Sequence, residues 1–217
     1  SGAGSTQSGC YMKSWKILWR IVLQSTLACM GGSAFAGRPL TVNDVDPASV
    51  GQWQIEAGIG YREDEESEHF DFPLALSYGL VPTLEVGVGL GGQIEERTET
   101  ENARIRKTGL GDFTLGAKWK FAPEVGWLPA QALAPTVKLP TADDEKGLGS
   151  GETDYDLTWI VTKSLSDEMS LHANIGYTWV GDPDDEDLGD IVHFGIAAEY
   201  QIIQRLQWIA EIFAQED

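Results

Sequence analysis

The chain is poor in cysteine, poor in basic residues and empty of helical periodicity. Its two cysteines, Cys10 and Cys29, both lie close to the amino terminus of the 217 residues. Downstream of them no disulfide framework, thiol nucleophile or cysteine-ligated metal is available. Lysine and arginine total 15 against 34 acids, for a net charge of −19. Non-specific nucleic-acid binding is thereby excluded, because it needs cations to neutralise phosphate, and so is a basic surface for anionic headgroups. A third absence is local: residues 1–36 contain no acid at all. Disorder does not fit, since 42% of the chain is hydrophobic and 10% aromatic.

What fills the acid-free stretch has the order of a secretory signal. Met12-Lys13-Ser14-Trp15-Lys16 is a short basic start, Ile17 to Met30 is mostly apolar, and Ser33-Ala34-Phe35-Ala36 supplies an A-x-A site. The apolar run is short of the roughly 20 residues that a spanning helix needs. Cleavage is therefore expected after Ala36, with residues 1–36 as upstream residues plus leader and 37–217 as the barrel domain argued below. Cys29 as a lipoprotein acceptor is the weaker reading, because Thr26 stands three positions before it, where an aliphatic residue is normally wanted. Loss of Lys13, Lys16 and Arg20 leaves 12 bases against 34 acids.

From Gln52 onward, alternation with a period of two replaces any helical pattern. Trp53, Ile55, Ala57, Ile59 and Tyr61 interleave with Gln54, Glu56, Gly58 and Gly60. The same reading gives segments around Phe70–Tyr78, Leu84–Leu90, Phe113–Phe121, Leu128–Leu139, Tyr155–Val161, Leu171–Trp179, Val192–Tyr200 and Leu206–Ile212, nine in all. Leu128–Leu139 is the least regular, being alanine-rich and carrying Pro135.

The connections alternate in kind. Arg62–Glu68, Gln93–Lys107, Thr141–Asp154 and Gly181–Asp190 are long and hold 20 of the 34 acids. Gly79–Thr83, Ala122–Trp127, Ser164–Met169 and Ile202–Arg205 are tight. In a meander, alternate connections fall at opposite ends, so one rim is short-turned and the other is long-looped and acidic. Aromatic residues gather at both ends, as membrane interfaces select. The pattern predicts an all-β fold: an antiparallel up-and-down transmembrane β-barrel of the outer-membrane type, in the bacterial outer membrane. A water-soluble β-sandwich alternates too, but its solvent face is more heavily charged than the Gly, Ala, Thr, Ser and Asn found here. Nine is odd, and the chain lacks a terminal aromatic strand end, so the expectation is a C-terminal truncation from about twelve strands.

Several stretches resemble a family of Gram-negative outer-membrane proteins labelled for meta-pathway phenol degradation or transport. They are Arg38-Pro39-Leu40-Thr41, Gly51-Gln52-Trp53-Gln54-Ile55-Glu56, Leu76-Ser77-Tyr78-Gly79-Leu80 and Gly109-Leu110-Gly111-Asp112. Lys138-Leu139-Pro140-Thr141 with Lys146-Gly147-Leu148-Gly149-Ser150-Gly151 follows, then Leu171-His172-Ala173-Asn174-Ile175-Gly176-Tyr177 and Val180-Gly181-Asp182. The resemblance implies a barrel associated with uptake of aromatic or other hydrophobic compounds, and it brings no catalytic motif.

The polar face of the alternation supplies the candidate lumen: Glu56, Glu85, Asp112, Lys118, Lys120, Lys138, Asp156, His172, Asn174, His193, Glu199 and Glu211. Charges sharing a confined interior need partners, so ion pairs are expected among them, with Arg62 as a further cation. No zinc pattern joins His69, His172 and His193. Ser170 and His172 share a face, yet no G-x-S-x-G is present. Gly87, Gly89, Gly91 and Gly92 lack the helix and Lys of a phosphate loop and read as small lumen residues. Asp182-Pro183-Asp184-Asp185-Glu186-Asp187 lacks the glycine of a calcium loop and reads as a solvated loop, open to loose cation bridging with lipopolysaccharide. The expectation is no enzyme and no cofactor, with lipid, lipopolysaccharide and a small hydrophobic or aromatic solute as partners. Passive transport leads, a structural or surface-interaction barrel is the alternative, and a lipid hydrolase is a distant third.

Overall fold

The computed structural model describes residues 20–27, 41–63, 67–100, 103–183, 188–203 and 206–216. Among them there is no helix, and twelve strands form one sheet. In chain order they are β1 (Arg20–Leu27), β2 (Trp53–Ala57), β3 (Gly60–Glu63), β4 (Ser67–Val81), β5 (Leu84–Thr100) and β6 (Ala103–Leu110). There follow β7 (Phe113–Ala122), β8 (Ala130–Leu139), β9 (Asp154–Ser164), β10 (Met169–Trp179), β11 (Ile191–Ile203) and β12 (Leu206–Glu216). From β4 to β12 each wall strand pairs antiparallel with its neighbour in sequence, and the sheet curls strongly into a half-barrel.

All nine expected segments are strands. One of them is broken: β2 and β3 both pair with β4 on either side of Gly58-Ile59. β7 is whole and shares its partner β5 with β6, which precedes it across Gly111-Asp112. Even the segment containing Pro135 is in the wall as β8, between β7 and β9.

One expectation needs correction. Gln93–Lys107, anticipated as a long loop, is a hairpin in which Gly92–Thr100 pairs with Ala103–Leu110. Its Glu, Arg and Thr residues give no alternating apolar signal, the mark by which a half-buried strand is read. Residues 20–27, inside the expected leader, line the outer edge of β12 in the whole chain, from Arg20↔Phe213 to Leu27↔Leu206. An exposed strand edge offers unpaired N–H and C=O groups, and an extended apolar segment satisfies them.

The two faces of the sheet are built from opposite materials. Cross-strand rows run along the convex face, such as Trp119–Leu133–Trp159–Ile175–Phe194. Trp159, Ile175 and Phe194 are all exposed on it. The concave face carries Thr158, Thr162, His172, Asn174, Glu199 and Glu211, all buried. Water-soluble sheets do the reverse, because the hydrophobic effect drives large apolar groups inward. Aromatic pairs mark both ends of the strands. Trp53 and Tyr78 lie 4.7 Å apart at the short-turn end; Tyr61 and Phe70, at 4.8 Å, and Tyr177 and Trp179, at 4.9 Å, lie at the other.

Candidate lumenal site

The concave face is occupied. Thr41–Val50, a segment outside the strands, crosses it transversely from β12 to β4 as a strap. Val42, Val45 and Ala48, three residues apart, are its buried side chains. Val45 packs with Ala130, Ala132 and Ile160 in a buried apolar cluster. The spacing of three fits an extended chain turning one side in three toward the wall.

An extended segment that joins no ladder must satisfy its backbone donors elsewhere. Here the wall supplies side chains one at a time. The carboxylate of Glu211 on β12 accepts from the N–H of Thr41 at 3.0 Å and of Val42 at 3.1 Å. The amide of Asn174 on β10, with its nitrogen turned toward the strap, donates to the Asn43 carbonyl at 2.9 Å and accepts from the Asn43 N–H at 2.6 Å. On β9, Thr162 Oγ1 accepts from Val45 N–H at 3.2 Å. Glu85 on β5 accepts from Ala48 N–H at 2.5 Å.

Charges complete the seating. Lys118 Nζ lies 3.8 Å from Asp44 and 3.4 Å from Glu85, its register partner. Lys120 Nζ is 2.6 Å from Asp46. Two acids two residues apart therefore meet two lysines two residues apart on one strand face. At the far end Gly51, at φ 76°, turns the chain into β2, and its N–H reaches the Gly79 carbonyl at 2.8 Å. Gly79 is required here, since a Cβ would run into the carbonyls of Ala48 and Ser49.

Beneath the strap lies a buried polar chain. Thr162 Oγ1 also meets His172 Nδ1 at 2.9 Å, and His172 Nε2 faces Glu199 Oε2 at 3.6 Å. Gln207 donates to that same carboxylate oxygen at 2.8 Å. Beside Asn43, the strap and wall leave a cavity of about 150 Å³ lined by Ser77, Glu85, Gly87, Lys118 and Thr136 among others.

A second polar group sits toward the long-loop end. Lys138 Nζ lies 2.6 Å from Asp154, 3.6 Å from Asp112 and 3.0 Å from Ser150 Oγ. Asp112 accepts from the N–H of Thr141 and of Ala142, both at 2.9 Å. His193 Nε2 meets Asp156 at 2.8 Å, with Thr158 and Thr178 on the same carboxylate. Leu148 is buried against Gly109, and its carbonyl accepts from Gln93 at 3.2 Å. The loop between β8 and β9 thus folds inward over the concave face. Within it, a hydrogen bond from Lys146 holds the Asp143 carboxyl below its ordinary value, and Asp143 raises Lys146 in turn. In the turn between β7 and β8, hydrogen bonds from Lys163 and the Ser164 N–H hold Glu124 below the usual carboxylate range.

Of the residues singled out in the sequence, Glu85, Lys118, Lys120, Asn174 and Glu211 hold the strap directly, and His172 and Glu199 lie under it. Asp112, Lys138, Asp156 and His193 gather near the long-loop end. Glu56 stands apart on β2: it is exposed and accepts from Gln54 at 2.8 Å. The side chains of Arg62 and His69, and residues 184–187 of the acidic loop, lie outside the described residues. Sequence reading passed over the strap itself, Thr162 and Asp154. The match of Asp44-x-Asp46 to Lys118-x-Lys120 was the available signal.

A single meandering antiparallel sheet, curled with its polar face inward and its apolar face outward, defines the up-and-down β-barrel class. The chain belongs to the family described as "Putative MetA-pathway of phenol degradation", which it matches over residues 36–216. No curated protein matches it.

Proposed function

We propose that the protein is an outer-membrane barrel that lets small hydrophobic or aromatic molecules cross passively. The observation that supports this reading is the inverted sheet. Trp159, Ile175 and Phe194 are exposed on the convex face while His172, Asn174, Glu199 and Glu211 are buried on the concave one. An exposed apolar belt between aromatic rims is stable in hydrocarbon, where the backbone must be satisfied internally. The family description, which concerns phenol degradation, supports an aromatic solute. Delivery to the outer membrane would follow export through the inner membrane under the leader, with lipid and lipopolysaccharide around the wall. No catalytic role is proposed.

The full chain reconstituted into liposomes tests this. Entry of phenol or benzoate above protein-free vesicles is expected; no entry through a folded, heat-modifiable protein overturns transport. The second reading, a structural or surface-interaction barrel, is favoured by one observation, the strap that occupies the concave face.

A further inference from the structure

We propose that Thr41–Val50 is a displaceable plug, hinged at Gly51 and latched at Glu211, whose release opens the passage along the concave face. The inference rests on the transport reading. It follows from how the strap is held. A permanent filler would join the sheet or bury bulky side chains against it. The strap instead buries two valines and an alanine, three residues apart. Among the described residues its only bridge to the sheet is Val50 with Gly79, at one end.

Elsewhere its N–H groups are taken individually by Glu211, Asn174, Thr162 and Glu85, which belong to four different strands. Each such bond exchanges for a bond to water once the lumen is wetted, so no single contact commits the strap to its seat. The ladder bonds of the wall have no such substitute on the lipid side. The two attachments are also unequal. At the Gly51 end, the bridge, the left-handed glycine and the close approach to Gly79 fix the chain to the wall. At the Thr41 end, one carboxylate receives both N–H groups. A hinge at one end and a single-residue latch at the other let the segment lift off the wall, with residues 20–27 before it still paired to β12.

The cavity of about 150 Å³ beside Asn43 shows that the strap is not packed tightly along its whole length. Its lining includes Glu85 and Lys118, the same pair that holds Ala48 and faces Asp44. A polar solute group reaching that cavity would compete with the strap for its own anchors. Plug displacement would thereby be coupled to solute entry through differential contacts.

The test uses the full chain in lipid vesicles, with Cys10 and Cys29 replaced by serine and Val45→Cys as a reporter of strap release. Glu85→Gln combined with Glu211→Gln weakens the anchors; Lys120→Gln is a milder variant in case the double one fails to fold. Reaction of the thiol with an impermeant maleimide is expected to rise roughly tenfold in the weakened protein, as loss of a buried charge-assisted bond shifts an opening equilibrium. Solute flux or single-channel conductance should rise with it. Without the reporter, Val42→Cys with Gly195→Cys provides a lock, because Val42 Cγ2 lies 2.5 Å from where a Cβ at 195 would stand. Oxidation should hold flux below the parent level, and dithiothreitol should restore it.

Flux that is equal in the weakened, locked and parent proteins overturns the plug and leaves the transport reading standing. Maleimide labelling that rises while no variant passes any solute overturns both. Labelling that does not rise in either weakened variant overturns the hinge and latch.

Discussion

Trp159 and Ile160 are neighbours in β9 and serve different surroundings. Trp159 is 44% exposed on the convex face, whereas Ile160 is 0% exposed beneath the strap. The convex face has many large apolar groups and, among the described residues, nothing over them. The concave face has few, and the little apolar core it forms is completed by Val45 from outside the sheet. The difference teaches that burial among these residues measures contact with the strap as much as hydrophobicity. Polar Glu211 is buried because it holds two backbone donors, and apolar Ile175 is exposed because none of the described residues covers the convex side.

That contrast is sharpest where a charge is forced onto the convex face. Ile175→Arg, at the middle of β10, is expected to destabilise the folded protein by about 2–4 kcal/mol in a bilayer, the cost of arginine at the midplane of a lipid-facing wall. Folding titrations in vesicles measure it. A neutral effect would place the convex face in water and break the comparison.

On the concave face, Glu211→Ala leaves the N–H groups of Thr41 and Val42 without their acceptor. A loss of about 1–3 kcal/mol is expected, the penalty for a stranded buried donor, with the sheet itself intact. Hydrogen exchange should localise the change to residues 41–45. A uniform loss across β9 to β12 would instead make the strap part of the wall's foundation.

Lys120→Met removes the pair with Asp46, whose side chain is 68% exposed. The expected effect is about 0–1 kcal/mol, because a pair open to water gains little. A larger loss would mean the strap relies on charge more than on its backbone contacts.

The smallest effect lies at the short-turn end. Glu124 is held below the usual carboxylate range by its bonds from Lys163 and the Ser164 N–H. A carboxylate depressed by folding contributes stability that is present above its unfolded pKa and lost as pH falls through its folded one. Protection of the Ser164 amide should therefore persist at neutral pH and fade only below the ordinary glutamate range. Glu124→Gln should remove that pH dependence. A Ser164 amide insensitive to both would remove Glu124 from the turn.

The wall was legible in the sequence because a half-buried strand writes its own period. Large apolar residues at every second position, such as Leu157, Trp159 and Val161, identify β9 whatever it packs against. The β5–β6 hairpin was not legible, since its Glu, Arg and Thr residues carry no apolar alternation to mark it. The strap was not legible for a different reason. Asn43, Asp44 and Asp46 read as loop residues, and their partners are on β7 and β10, more than 70 positions away. Of the candidate site, the polar face and most of its members could be read from alternation alone. What those groups bind could not, because alternation reports which face a residue occupies and nothing about what lies across from it.

By itself, then, the sequence determined the nine alternating wall segments, their order, the two rims and which side of the sheet is polar. Each of these follows from local periodicity and from the alternation of long and short connections. Only the tertiary structure decided that the polar side grips the protein's own segment. Curling brings Glu85, Thr162, Asn174 and Glu211 to one concave surface, where a single extended chain can satisfy all four.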